Sequence, residues 1–176
     1  LNLETGHVRR LATGLRDDSK LSIGLAVTSD GKSVIAQSDA GDGSRILSIP
    51  ASGRGPVTTL FTTTSIAWAI DTAPDGSLYL TGYTLSTDFY TVNAPQPGWG
   101  GGVDIFIAQI KPGAAGRGGV LFSTYFGQTG QYVGKSLAMG ADGRLYTGGM
   151  ATGGLPSSFN GSGFGGEYDG FLIVLQ

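Results

Sequence analysis

The chain contains no cysteine and a single histidine, His7. The first absence excludes disulfides and thiolate metal sites, and one histidine is too few for zinc or iron centres that need several. The formal net charge is only −2, and the basic residues are scattered, so nothing in the sequence forms an electrostatic footprint for nucleic acid. No apolar run approaches the ~20 residues of a membrane-spanning helix. We therefore expect no cofactor, no nucleic-acid partner and no membrane span.

Glycine is what the chain has in excess, with 32 of its 176 residues against an average usage of about 7%. Disorder requires low hydrophobicity and high net charge, and this sequence has neither. Its length is sufficient for one domain with a sizeable core. These features predict a turn-dense all-β protein in which glycine occupies tight corners and close contacts between strands.

Two stretches of the chain repeat the same order of motifs. Residues 75–82 read Asp-Gly-Ser-Leu-Tyr-Leu-Thr-Gly, and residues 142–149 read Asp-Gly-Arg-Leu-Tyr-Thr-Gly-Gly. Each is followed by a long glycine-rich loop and then by an Asp-x-Phe strand, which starts at Asp104 in the first copy and at Asp169 in the second. Such a period without any helical segment is typical of repeating β architectures.

Alternation of apolar and polar residues, with β-branched and aromatic enrichment, predicts twelve strands. Asp-Gly pairs at 30–31, 75–76 and 142–143 mark the corner between the first and second strand of each set, and we expect type I′ turns there. The predicted strands are His7–Ala12, Ile23–Thr28, Ser33–Gln37, Arg45–Ile49, Val57–Phe61, Ile66–Thr72, Ser77–Tyr83, Asp104–Ile110, Val120–Tyr125, Val133–Met139, Arg144–Gly148 and Gly170–Leu175.

Sets of four antiparallel strands repeated in this way predict a β-propeller. We interpret residues 1–176 as a single propeller unit with blades at 21–61, 66–126 and 132–176, and with an additional outer strand at 7–12. Propellers have about four to eight blades. Three blades therefore form an arc or part of a larger ring, completed by more of the parent chain, by a second copy or by a partner subunit.

The motifs of residues 66–176 resemble one known family. Leu121-Phe-Ser-Thr-Tyr-Phe-Gly127, followed by an apolar strand, the Asp142-Gly143 corner and Leu145-Tyr146-Thr147-Gly148, resembles the bacterial seven-bladed β-propeller repeat, the SBBP repeat. Phe89-Tyr90 replaces a frequent Phe-Pro of that family. Residues 1–61 more closely resemble a blade of the NHL or SMP-30 type. The resemblance implies a bacterial exported or cell-envelope protein.

The carboxylates have structural explanations as well as chemical ones. The aspartates of the three Asp-Gly corners are accounted for by their turns. Asp104 and Asp169 are expected to accept hydrogen bonds from N–H groups of the preceding glycine-rich loops. Asp39 and Asp42 lie in a glycine-rich turn and are the candidate calcium ligands, although the spacing of an EF-hand is absent and such a loop is more often an ordinary hairpin connection.

Aromatic residues in the two long loops, Thr84–Gly102 and Ala151–Tyr168, are the main candidates for binding. Blade geometry places both loops on one face, together with the shorter connections at Thr62–Ser65 and Gly127–Gln131. Aromatic anchors on loops are common at interfaces and sugar sites. Phe89 and Phe159 are expected to fold back onto the blade core. The proposed contact residues are Trp99, Tyr90, Phe164 and Tyr168.

These observations favour a non-catalytic binding or scaffold module that contacts a protein or a glycan through the loop-bearing face. One alternative is a propeller enzyme of the lactonase or sugar-hydrolase type with a divalent ion in its central channel. That enzyme would need converging carboxylates, and only Asp71 lies near such a position. A second alternative is a purely structural subunit of a larger complex.

Overall fold

The computed structural model describes residues 24–39, 41, 43–112, 116–154 and 166–176. Within them the chain forms eleven β-strands, and one 3-10 turn at Gly116–Gly119 precedes the eighth strand. The strands are β1 (Leu25–Val27), β2 (Ser33–Asp39), β3 (Ser44–Pro50), β4 (Thr58–Thr63), β5 (Ile66–Thr72), β6 (Leu78–Thr84), β7 (Asp104–Ile110), β8 (Val120–Phe126), β9 (Tyr132–Met139), β10 (Leu145–Ala151) and β11 (Asp169–Leu175).

The strand predictions that fall on described residues are confirmed to within two or three residues at each end. Ile66–Thr72 and Asp104–Ile110 coincide with β5 and β7. The predicted strand His7–Ala12 lies outside the described residues. Among those residues there is no helix long and apolar enough to cross a membrane.

The strands form three antiparallel sheets, each of which follows chain order, so the all-β prediction is confirmed. Sheet 1 has the order β1-β2-β3-β4, and sheet 2 has the order β5-β6-β7-β8. Sheet 3 contains β9-β10-β11, with β10 in the middle. Neighbouring strands in each sheet are also neighbours in sequence, and all of them pair antiparallel.

The Asp-Gly corners do not have the type I′ geometry that we expected. In the loop from Ala73 to Ser77, the N–H of Gly76 donates to Ala73 O (2.9 Å), and the N–H of Ala73 donates to Ser77 O (2.9 Å). Gly76 has a φ of 83°, but Asp75 does not have positive φ. This is the type I turn with a left-handed glycine bulge. The carboxylate explains why an aspartate precedes the glycine at this corner, because Asp75 Oδ1 accepts a hydrogen bond from the N–H of Ser77 (2.9 Å).

Sheet 2 lies between the other two sheets and buries both of its faces. One core cluster joins Phe106 and Ala108 to residues of sheet 1 such as Ile46. The other joins Ile105 and Ile107 to residues of sheet 3 such as Phe171. Successive side chains of a strand point to opposite faces. The prediction that β7 is a middle strand packed on both sides is therefore confirmed.

Polar contacts tie the first strands of successive sheets together. The Thr72 hydroxyl in β5 donates to Val27 O in β1 (2.9 Å), and the N–H of Met139 in β9 donates to Asp71 Oδ2 (2.7 Å). Ser44 Oγ in sheet 1 also accepts from the N–H of Ala67 in sheet 2 (3.1 Å). These contacts fix β5 alongside both β1 and β9.

Candidate ligand-binding site

The long loop between β6 and β7, residues 85–103, folds back along the outer edge of β8. Val92 and Ser123 exchange both backbone hydrogen bonds (3.0 and 2.9 Å) and form an isolated antiparallel bridge. The Ser123 hydroxyl donates to Tyr90 O (2.7 Å). The loop therefore begins its return path as an additional, short edge of sheet 2.

Gln96 fixes the second half of this path. Its side-chain amide accepts from the N–H of Gly127 (3.1 Å) and donates to Gly127 O (3.0 Å). Its backbone O accepts from the N–H of Tyr125 (3.1 Å), and its N–H donates to Thr124 Oγ1 (3.1 Å). Hydrogen bonds from this one residue to positions 124, 125 and 127 hold this part of the loop in one register.

Phe89 folds onto the core of sheet 2, as expected. Its ring lies 5.5 Å from that of Phe106 and 5.6 Å from that of Tyr125, measured between centroids. The Tyr125 hydroxyl accepts from the N–H of Phe89 (2.7 Å) and donates to Ser86 O (2.9 Å). Burial raises the pKa of Tyr125, so the phenol stays protonated as this donor. Phe159 lies outside the described residues.

A pocket of about 380 Å³ opens between the end of sheet 1 and the start of this loop. Its floor is apolar and its rim carries charged and hydroxyl groups. Phe61, Leu80, Phe89, Phe106 and Ala108 contribute to the floor, and Ser86, Asp88, Tyr90, Arg117 and Ser123 contribute to the rim. Residues 62–64, which connect sheet 1 to sheet 2, line it too. The prediction that this connection shares a face with the long loop is thus confirmed.

The rim groups contact one another in pairs. The Arg117 guanidinium carbon lies 4.8 Å from the centroid of the Tyr90 ring, a cation–π distance. Asp88 Oδ1 accepts from the Ser86 hydroxyl (2.6 Å). The rim therefore presents a carboxylate, a guanidinium and an aromatic ring above an apolar floor.

Trp99 lies further along the loop and is 41% exposed. Its indole N–H donates to Gly102 O (2.9 Å), and the next residue, Gly100, donates its N–H to Asp104 Oδ2 (2.6 Å). The latter bond confirms the role predicted for Asp104. Asp104 is completely buried, and burial raises its pKa.

The other predicted contact residues do not join this pocket in the described contacts. Tyr168 is 55% exposed and immediately precedes β11, away from the residues that line the pocket. Phe164 and Asp42 lie outside the described residues. Asp39 is the last residue of β2, and its backbone pairs with Ser44. Of the three proposed contact residues that the structure describes, Tyr90 alone lines the pocket.

The enzyme alternative depended on the carboxylate of Asp71, and both oxygens of this group accept hydrogen bonds from backbone N–H groups. Asp71 Oδ1 accepts from the N–H of Thr72 (2.8 Å), and Oδ2 accepts from the N–H of Met139. Across the described residues, no group of three or more His, Asp or Glu side chains could hold a metal ion. Asp71 here connects sheet 2 to sheet 3.

Sequence reasoning did not identify Asp88 or Arg117. The two are 29 positions apart, and neither belongs to a motif. Both line the pocket because the loop returns along β8 and brings residue 88 to the end of the sheet where the Gly116–Gly119 turn precedes β8. Only the position of Asp88 beside Phe89 and Tyr90, already expected on a binding loop, pointed towards it.

The chain matches no protein-family model, and no curated protein matches it at a significant level. The resemblance of residues 66–176 to the SBBP repeat therefore stays a prediction. The functional argument rests on the geometry of the pocket and its loop.

Proposed function

We propose that the chain is a non-catalytic β-propeller module, an arc or part of a larger ring, that binds a protein or glycan partner through its loop-bearing face. The meander of each sheet and the side-by-side first strands β1, β5 and β9 support the propeller arrangement. In a propeller the first strand of every blade lies next to the axis. From the SBBP resemblance, the proposal includes an exported or envelope location in a bacterium.

The pocket between sheets 1 and 2 is the observation that supports binding. Ligand sites are concave and mostly apolar, with a few polar groups that fix orientation, and they commonly measure about 300–1,000 Å³. This pocket of about 380 Å³ falls within that range, and its rim groups contact one another in pairs. A preorganised site loses little side-chain entropy on binding.

The chemistry of the lining suits a small polar ring or a single amphipathic side chain. Asp88 accepts hydrogen bonds, Arg117 donates them, and Tyr90 and Phe89 offer apolar contact. A sugar residue at the end of a glycan and an aromatic side chain of a protein both meet these requirements. Trp99, exposed on the same loop, extends the contact surface beyond the pocket.

A glycan array and a phage-displayed peptide library, screened with the purified chain, provide the test. We expect a ligand from one of the two collections, and we expect Tyr90→Ala and Arg117→Ala to weaken its binding at least about tenfold, a loss of about 1.4 kcal/mol. Leu25→Ala is the matched control, because Leu25 is 65% exposed on β1 and does not line the pocket.

Two outcomes would contradict the proposal. One is that neither collection yields a ligand. The other is that Tyr90→Ala and Arg117→Ala bind the selected ligand as tightly as the unmodified chain does. Binding of a glycan or of a peptide identifies the class of partner.

A further inference from the structure

Sheet 3 lacks the fourth strand that sheets 1 and 2 possess in the described part of the chain. Its last strand, β11, is the counterpart of β7. Both begin with an Asp-x-Phe sequence, and each pairs over seven residues with the strand that precedes it. β7 has a second neighbour, β8, on its other side, whereas β11 has no strand there among the described residues.

The pairing of β7 with β8 shows which residues of β11 direct their backbone N–H and C=O groups to its open edge. Ser123 directs its N–H and C=O to Val92, away from β7, so the adjacent Thr124 directs its own towards Ile107, its register partner. Ile107 therefore bonds to β8. The residues of β11 that correspond to Ile105, Ile107 and Gln109, and that direct their N–H and C=O groups to the open edge, are Gly170, Leu172 and Val174.

A groove of about 430 Å³ lies beside this edge, between β11 and the face of sheet 2. Its walls are mainly apolar, and it occupies the place where a fourth strand of sheet 3 would insert side chains towards sheet 2. The lining includes Gln96, Ile107, Thr124 and Phe126 on one side and Ile173 and Leu175 on the other.

We propose that this edge and groove bind an extended segment of a partner polypeptide, which pairs antiparallel with β11 as β8 pairs with β7. The inference is independent of the pocket between sheets 1 and 2. Addition of a strand to an open sheet edge is an established mode of peptide recognition, in which backbone bonds supply affinity and alternate side chains supply specificity. The groove beside the edge receives those alternate side chains.

The pairing of β7 with β8 also defines what the segment carries. Tyr125 lies opposite Phe106 and is only 2% exposed, and Ser123 lies opposite Ala108. Phe171 occupies the place of Phe106 in β11. The segment therefore carries an aromatic residue opposite Phe171, and it has no proline at the position opposite Leu172, where an N–H is needed.

No described strand is available to fill this place. The outer edge of β8 is covered by residues 92–96 of the long loop, and the remaining described strands pair within their own sheets. Leu172 and Val174 are 67% and 42% exposed, so the outer face of β11 is accessible as well. We assign this place to a partner polypeptide, and hydrogen exchange of the free monomer tests the alternative that residues of this chain outside the described ranges cover the edge.

A peptide with the sequence of residues 119–127, Gly-Val-Leu-Phe-Ser-Thr-Tyr-Phe-Gly, is the probe. Amide hydrogen exchange of the whole chain, followed by NMR, reports the site. We expect the amides of Gly170, Leu172 and Val174 to exchange at least about tenfold more slowly with the peptide bound. The amides of Phe171 and Ile173, which face β10, should be protected in both states.

Two pairs of variants separate strand addition from unspecific adhesion. In the peptide, proline in place of Thr124 removes the N–H that pairs with Leu172, and alanine in place of Tyr125 removes the aromatic ring. Both should weaken binding at least about tenfold. In the protein, Leu172→Pro removes an edge donor and should abolish binding, whereas Leu172→Ala leaves the backbone intact and should bind normally.

Several results would overturn the inference. Slow exchange of the three edge amides in the free monomer would show that the chain covers its own edge, and slow exchange in a dimer would show that a second copy does. Equal binding of the proline-containing peptide, or of a Leu172→Pro chain with unchanged circular dichroism, would show that the contact is not a strand pairing.

Discussion

At the scale of single residues, Asp104 illustrates how a motif position acquires a structural role. The Asp-x-Phe motif predicted a carboxylate that accepts from the preceding loop, and Gly100 supplies that donor. Its other oxygen, Oδ1, has no hydrogen-bond partner in a completely buried site. Gly127 lies against this oxygen, where a Cβ would collide with it. The sequence predicted the bond to the loop but not the burial, because burial depends on β8 and Tyr132.

We expect Asp104→Asn to become more stable relative to the unmodified chain as the pH rises. Burial raises the folded-state pKa of Asp104 above its unfolded value of about 3.9, so the folded state disfavours ionisation. Below the unfolded pKa the carboxyl group is neutral in both states, and its full contribution to the stability of the fold is present. As the pH rises through the folded pKa, the unmodified chain loses that stability, because ionisation is easier in the unfolded state. Urea unfolding of both chains between pH 3 and 7 measures the difference. A constant difference across this range would contradict the assignment.

Tyr125→Phe should destabilise the chain by about 1–3 kcal/mol, because the N–H of Phe89 loses its acceptor and Ser86 O loses its donor. Denaturant unfolding gives the free energy. Tyr90→Phe is the matched control, because it keeps the ring beneath Arg117 and removes no described side-chain hydrogen bond. Equal stability of the two variants would show that the Tyr125 hydroxyl does not hold the loop.

At the scale of elements, strands were predictable and the path of the long loop was not. Alternation and β-branched content located all eleven described strands, since a strand's pattern is local in sequence. The loop's path depends on Gln96 bonding to Gly127, 31 positions away, which no local pattern encodes. The turn subtype was also wrong, because Asp-Gly is compatible with both a type I′ turn and a type I turn followed by a left-handed glycine.

The Asp-Gly corners should lose stability in acid. Hydrogen bonds from Ser77, through both its hydroxyl and its N–H, lower the pKa of Asp75 below 3.8. A lowered folded-state pKa stabilises the fold above the unfolded pKa and loses that effect as the pH falls. We expect Asp75→Asn to lose less stability than the unmodified chain between pH 5 and 3, as measured by thermal unfolding. Identical acid sensitivity would contradict the role of this carboxylate.

At the scale of the whole molecule, sheet 2 connects the other two through its two faces. The order of strands and the middle position of β7 were predictable from repeats and alternation. The pocket was not, because it forms where sheet 1, a loop and the Gly116–Gly119 turn converge. The same holds for the groove beside β11, which depends on how closely sheet 3 approaches sheet 2.

Substitutions on opposite faces of sheet 2 should have similar effects. Leu80 faces sheet 1 and Ile107 faces sheet 3, and both are almost completely buried. We expect Leu80→Ala and Ile107→Ala each to cost about 2–5 kcal/mol and to retain one unfolding transition, because sheet 2 transmits the loss to both neighbours. Leu85→Ala, at a residue that is 66% exposed, is the control. Separate transitions in either variant would show that the sheets unfold independently.

The return of residues 92–96 along β8 links the proposed binding function to the protection of a strand edge. An unprotected strand edge is a template on which further chains assemble into aggregates, and here the loop that carries the proposed contact residues covers that edge. Shortening the loop to change what the pocket binds would therefore also expose the backbone of β8. Variation in this loop is constrained to changes that keep its pairing with β8, so new specificities should arise at Asp88, Tyr90 and Trp99 rather than from deletions.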